Sequence, residues 1–334
     1  MHGVERSDPP IVARNPVDKA ALAAAEPGEP RGGTKEKAGL QSTVRTQSRA
    51  AVSQAQVRLR EAVTRNKEQK LTALLHHVNV DVLRAGFLGL KRTAAPGVDE
   101  LTWERYAENL EANLVDLHAR AHAGAYRALP SRRRYIPKAD GGRRPLGIPA
   151  LEDKIVQGAV VTLLTPIYEA ELLGFSYGFR PGRSQHDALD ALAYGIGKRR
   201  INWILDADIR SFFDTLSRPW LVRFIEHRIG DRRVIRLIRK WLDAGVLDEG
   251  RQIETGEGVP QGAVISPLLA NVYLHYVYDL WVRQWRHRHA TGDMIVVRYA
   301  DDTIVGFEHR HDAERFLQDL TQRLEPTAGW SGAS

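Results

Sequence analysis

Cysteine is absent from all 334 residues. Disulfides, thiolate metal sites and cysteine nucleophiles are thereby excluded. Aromatic residues make up only 7% of the chain and methionine occurs twice. No apolar run approaches the ~20 residues that a membrane-spanning helix needs. The opening MHGVERSDPP has no apolar core of a secretory signal. No membrane partner is therefore expected, and the expected location is cytoplasmic. The twelve histidines show no metal-ligand spacing, and adjacent His76 and His77 point to different helix faces.

Positive charge is what the chain has in surplus. Lys and Arg number 48 against 41 Asp and Glu, a net +7. A balance of this sign favours a polyanionic partner, nucleic acid first. Hydrophobic residues reach 43%, ordinary for a globular protein. The length suffices for a large core and roughly two domains.

Residues 1–50, rich in Ala, Gly, Pro, Glu, Arg and Ser, are expected to form a disordered leader. Residues 51–115 read as a helical extension: LTALLHHVNVDVLRAGFLGLK, over 71–91, has helical spacing until Pro96-Gly97 breaks the pattern. From 117 to 149 short apolar pieces alternate with basic residues around Asp140-Gly141-Gly142, the pattern of a basic β-hairpin. A long helix is expected over 151–172, and Ser184 is placed to cap the next. INWILDADI then reads as a strand, followed by helices over 218–240 that hold eight Lys or Arg against two acids. Ser266-Pro267 should open a helix, with Ser266 as cap, that runs to about His287. MIVVRYADDTIVGF closes the pattern as strand, turn and strand. An antiparallel sheet backed by helices, an α+β fold, joins the two acid-bearing segments most simply.

Those acids carry the chemistry. Strand alternation places Asp206 and Asp208 on one face, with Leu205 and Ala207 on the other. Asp301 and Asp302 fall at the hairpin tip. Burying unpaired carboxylates is costly, so the pair either occupies an exposed turn, which Asp tolerates, or faces a cation. Carboxylates with water and substrate phosphates are what Mg2+ selects.

Five blocks in order resolve that choice by resemblance. Tyr135-Ile136-Pro137-Lys138 with Arg144-Pro145-Leu146-Gly147-Ile148-Pro149 comes first. Ser176 to Ser184 (SYGFRPGRS), Asp208 to Asp214 (DIRSFFD) and Gly258-Val259-Pro260-Gln261-Gly262 with Ser266-Pro267-Leu268 follow. Tyr299-Ala300-Asp301-Asp302 is the last. Together they resemble bacterial group II intron-encoded reverse transcriptase/maturases over residues 66–324. The resemblance implies right-hand polymerase fingers over 116–200 and a palm over 201–324, and an RNA-directed DNA polymerase. Its implied partners are group II intron RNA, an RNA template with a DNA primer, and dNTPs; no oligomeric state is implied. Asp208 and Asp301 would hold two Mg2+ ions, with Mn2+ as the substitute. Asp302 would be a second carboxylate there, and the Ile209 carbonyl could complete the shell.

Other roles are implied in the same way. Phe213, five residues past Asp208, sits where the family has its steric gate against a 2′-hydroxyl; the competing reading is a core aromatic. Lys138 and Arg144 flank the Gly turn and could neutralise a triphosphate, or form a solvated basic loop. Gln261, between permissive glycines, could approach the nucleotide. Arg132, Arg133 and Arg134 could track phosphate backbone, and Arg180 and Arg183 would contact template or primer. Family members continue after Leu324 into a further palm block, a primer grip and a thumb. Here EPTAGWSGAS, over 325–334, has no core-forming pattern. A truncated chain with the thumb missing, weak or inactive alone, is therefore expected. The competing readings are a retron-type or diversity-generating reverse transcriptase, and a non-catalytic RNA-binding remnant.

Overall fold

The computed structural model describes residues 57, 59, 61, 63 and 69–324, apart from 138–141, 210–211 and 254–255. The expected leader over 1–50, the tail over 325–334 and Lys138 beside its turn lie outside the described residues.

The helical pattern over 71–91 is split. A 3-10 turn, Leu75–His77, precedes α1, Val80–Gly89. Asn79 makes the fresh start: its side chain accepts the Val82 N–H. Asp231 holds the turn from a distance, its Oδ2 accepting the Leu74 and Leu75 N–H groups at 2.9 Å each. Two further helices follow, α2 (Trp103–Ala107) and α3 (Leu110–His122). The second corrects the expected start of the basic hairpin. Leu114, Leu117 and Ala121 are buried at helical spacing, so residues 117–122 continue a helix. The hairpin begins later, as β1 (Ser131–Pro137) and β2 (Arg143–Ile148), antiparallel with Arg132 opposite Ile148.

Next comes α4, Leu151–Glu169, buried on nearly every side and the axis of the core. Next is α5, Gln185–Lys198, opened by a reciprocal capping box between Ser184 and Asp187. Then follow β3 (Trp203–Asp208), α6 (Phe212–Thr215), α7 (Arg218–Arg228) and α8 (Arg232–Asp243). Two three-residue strands, β4 (Val246–Asp248) and β5 (Arg251–Ile253), precede α9, Ser266–Leu274. The cap of α9 is Ile265, one residue before the expected Ser266, because the Ser266 hydroxyl donates to the Pro260 carbonyl at 2.8 Å. The helix expected through His287 is interrupted by a π-helical turn, His275–Asp279, before α10, Leu280–His289. The chain ends with β6 (Met294–Tyr299), β7 (Asp302–Phe307) and α11 (Arg310–Leu324).

The class is α+β, with two sheets among the described residues. One is antiparallel in the order β3-β7-β6, so the two acid-bearing segments meet as expected. Trp285 of α10 and Phe316 of α11 pack on Phe307 behind it. Ala188 and Ala191 of α5 cover Val297 in front. The other sheet, β2-β1-β4-β5, enlarges the basic hairpin. Its strand β4 lies parallel to β1, so residues 246–253 join the sheet of the basic hairpin. Among the described residues, no helix is long and apolar enough to cross a membrane.

Candidate active site

Register brings the carboxylates together. Asp208 ends β3 directly opposite Asp302, which opens β7. Tyr299 pairs with Asp302 from the other side, leaving Ala300 and Asp301 as a two-residue turn. Asp302 is thus a strand residue and Asp301 alone of the pair is in the turn. Ala300 sits at φ 58°, a conformation that glycine normally supplies in hairpin turns. Such strain persists only where surrounding structure fixes it.

The acids crowd one another. Burial, then the charges of Asp302 and Asp208, push the Asp301 carboxyl above its ordinary range, and Arg144 opposes them. Asp302 is pushed the same way by burial and by Asp208 and Asp206. A cation relieves such repulsion. Among the described residues, no three His, Cys, Asp or Glu side chains form a ready-made metal cage. The donor set of hard oxygens, left to be completed by water and substrate phosphate, nonetheless fits Mg2+. The Ile209 carbonyl accepts the Phe212 N–H at 3.2 Å, which leaves its second lone pair.

The loop over 258–262 is fastened to the segment that follows β3. The Val259 N–H donates to the Phe213 carbonyl at 2.7 Å, and Arg218 Nε to the Gly258 carbonyl at 2.7 Å. Gly258, at φ 76°, lies so close that a Cβ would come within 2.6 Å of the Phe213 carbonyl oxygen. From the basic hairpin, the Gly147 N–H of β2 donates to the Gln261 carbonyl at 2.6 Å. Phe213, Gln261 and Arg133 therefore line one cleft. Phe213 is half-buried, its ring edge-on to Phe212 at 5.3 Å, and so is not a fully buried core aromatic.

The other expected cations divide. Arg144 and Arg134 are exposed on the basic hairpin. Arg132 and Arg133 are half-buried, each with a buried Nε that has no hydrogen-bond partner. Arg183 donates to the carbonyls of Gly174 and Ser176 and lies 5.2 Å over the Tyr177 ring. Arg180 does not fit the expected template or primer contact. It is 7% exposed, and its guanidinium binds Glu169 and the carbonyls of Leu173 and Ser176. Its bonds instead shape the loop that meets the Ala300-Asp301 turn. Gly178 of that loop abuts Ala300 so closely that a Cβ would lie 2.2 Å from the Ala300 nitrogen.

Arg298, Asp279 and Asn271 surround the turn from beneath and are missing from the sequence-based site. One signal was available: Asn271, His275 and Asp279 recur every four residues through an otherwise apolar helix.

A family model described as reverse transcriptase (RNA-dependent DNA polymerase) matches residues 136–328. Protein YkfC of Escherichia coli (strain K12) is 41% identical over 248 residues, covering 65% of this chain and 65% of YkfC. Group II intron-encoded protein LtrA of Lactococcus lactis subsp. cremoris is 42% identical over 153 residues, 46% of this chain and 25% of LtrA. Among solved structures, a chain of a partial Cas6-RT-Cas1–Cas2 complex overlays with a TM-score of 0.45 at 22% identity, covering 77% of this chain and 44% of that one. The chain thus spans 65% of the length of one curated relative and 25% of the other. With more than half of its residues matched by that family model and its acids paired across one sheet, the chain belongs to the reverse transcriptase family.

Proposed function

We propose that this chain is an RNA-directed DNA polymerase of the group II intron type, which adds deoxynucleotides to a DNA primer along an RNA template. We further infer that it binds intron RNA in a maturase role and works in the cytoplasm. The observation that carries the reading is the pairing of Asp208 with Asp302 across β3 and β7, with Asp301 in the adjoining turn.

Asp208 and Asp301 would hold two Mg2+ ions, or Mn2+ in their place, with Asp302 and the Ile209 carbonyl alongside. Bound there, the ions would supply Lewis acidity to the primer 3′-hydroxyl and to the departing pyrophosphate. The remaining work belongs to side chains. Arg144, with Lys138, neutralises the triphosphate. The Phe213 ring crowds a 2′-hydroxyl, and Gln261, which lines the same cleft, approaches the nucleotide. Arg132, Arg133, Arg134 and Arg183 follow the phosphate backbone. Residues 116–200 act as fingers and 201–324 as palm, with β4 and β5 lent to the fingers sheet.

Extension of a DNA primer on an RNA template, with dNTPs and Mg2+, tests this directly. Weak extension by the chain that vanishes in Asp301→Ala is expected. Salt-sensitive RNA binding without extension in either protein would overturn the polymerase reading and leave an RNA-binding one.

A further inference from the structure

Arg298 stands in β6 one residue before the catalytic motif and is 1% exposed. A buried guanidinium is tolerated only when its charge and its donors are met. Here all five N–H donors have acceptors. Nε and Nη2 reach the two carboxylate oxygens of Asp279 at 2.7 Å each. Nη2 also donates to Ser176 Oγ at 2.7 Å, and Nη1 to Asn271 Oδ1 at 3.1 Å. The last donor of Nη1 goes to the carbonyl of Ala300, at 2.8 Å.

Those partners come from separate parts of the chain. Ser176 belongs to the loop before α5, and the Arg298 carbonyl accepts the next N–H of that loop, from Tyr177, at 2.8 Å. Asn271 lies on α9, where its Nδ2 also donates to the Gly178 carbonyl at 2.8 Å. Asp279 ends the π-helical turn. A π turn inserts an extra residue and rotates the helix beyond it, and such turns gather at functional sites. It lets Asn271 and Asp279 approach one guanidinium together. His275, between them, stays uncharged because burial drives its pKa down to about 4. The charge of Asp279 is left to Arg298.

We propose that Arg298 is the positioning residue of the catalytic turn: it fixes the Ala300 carbonyl, and so the placement of Asp301 against Asp208, while Asn271 and Asp279 hold Arg298 in register. Ala300 needs such a device. It occupies a conformation that alanine disfavours, and its neighbour must present a carboxylate at a set distance from a strand on the far side of β7. The role in metal placement rests on the proposed polymerase function, whereas the fixing of the turn does not.

Arg298→Lys separates positioning from general support. Lysine keeps the charge but offers three donors from one point in place of a planar fork. Hydrogen exchange followed by peptide mass spectrometry reads the turn without requiring activity. In the full chain carrying Arg298→Lys, exchange over residues 299–303 should rise at least ~10-fold while α4 stays within about 2-fold. Primer extension should lose at least ~10-fold in kcat with the KM for dNTP within about 3-fold. Asn271→Ala, which removes one neutral bond, should move the same segment in the same direction by less, and serves if the lysine variant does not fold. Turn exchange that is unchanged, or that rises equally in α4, would overturn the proposal and leave Arg298 as a general core support. If the unmodified chain extends no primer, the polymerase reading fails and the exchange experiment still decides this one.

Discussion

The hairpins β6–β7 and β1–β2 are close in length and opposite in surroundings. Residues 295–298 of β6 are buried in succession, covered by α5 on one face and by α10 and α11 on the other. In β1 only Ser131 is buried, and its last four residues are exposed. The acidic hairpin is fixed at its turn by Arg298 and Gly178. The basic one is fastened at its base, by β4 and by the bond from Gly147 to Gln261. The two roles proposed for them would demand this difference. Metal–oxygen contacts tolerate shifts of only tenths of an ångström, so the acids need a rigid mount. Cations acting on a triphosphate work through Coulomb attraction, which falls off slowly with distance, so Arg144 could serve in the proposed role from an exposed position.

The sharpest break of this comparison is a change at each hairpin. Asp301→Asn should lower primer extension on the order of a thousandfold or more, about 4 kcal/mol of barrier. Arg144→Ala should act chiefly on the dNTP, raising its KM roughly 10- to 100-fold, as expected for one lost charge-assisted contact. Equal losses in kcat from the two variants would erase the distinction between mount and clamp. The acids also carry a pH signature. Asp301 and Asp302 hold protons more tightly than ordinary carboxylates, so protons compete with the cation as pH falls. The Mg2+ concentration for half-maximal extension should therefore rise as the pH is lowered toward the carboxylate range, beginning at higher pH than for ordinary carboxylates, and Arg144→Ala should remove part of the opposing charge and steepen that rise.

Gly178→Ala probes the mount without touching a charge. Its Cβ would press on the Ala300 backbone, which cannot rotate away as a flexible side chain could. Overpacking of this kind costs about 1–3 kcal/mol, so the melting temperature should fall and extension should fall with it. An unaltered melting curve would mean that the loop over 176–183 is free to shift from the turn.

The acidic hairpin was legible in the sequence because its signals are local. Alternation set Asp206 and Asp208 on one face, apolar flanks marked both strands, and a short turn fixed the register. The mount was not legible. Arg298 reads as one basic residue in a strand, and only the fold shows Asp279, nineteen positions earlier, facing it. Arg180 misled for the same reason: a loop arginine in a basic protein suggests a phosphate, yet Glu169 and two carbonyls occupy it. Strands β4 and β5 span three residues each, too short for any period, and β4 pairs with a strand more than a hundred residues away.

The smallest expected effect lies on the basic hairpin. Arg132 and Arg133 are half-buried with orphaned Nε groups, whereas Arg134 is exposed. If each meets a phosphate, its loss should reduce the slope of log affinity against log salt by about 0.7 for single-stranded RNA. Arg134→Ala should produce that single step, and the triple alanine variant about three of them, measured by titrating a labelled RNA at several salt concentrations. Asp301→Asn should leave the slope unchanged, because a carboxylate makes no ion pair with phosphate. A slope unmoved by the triple change would assign these arginines to a solvated face. The polyanion would then be gripped elsewhere, and β1–β2 would serve the nucleotide alone.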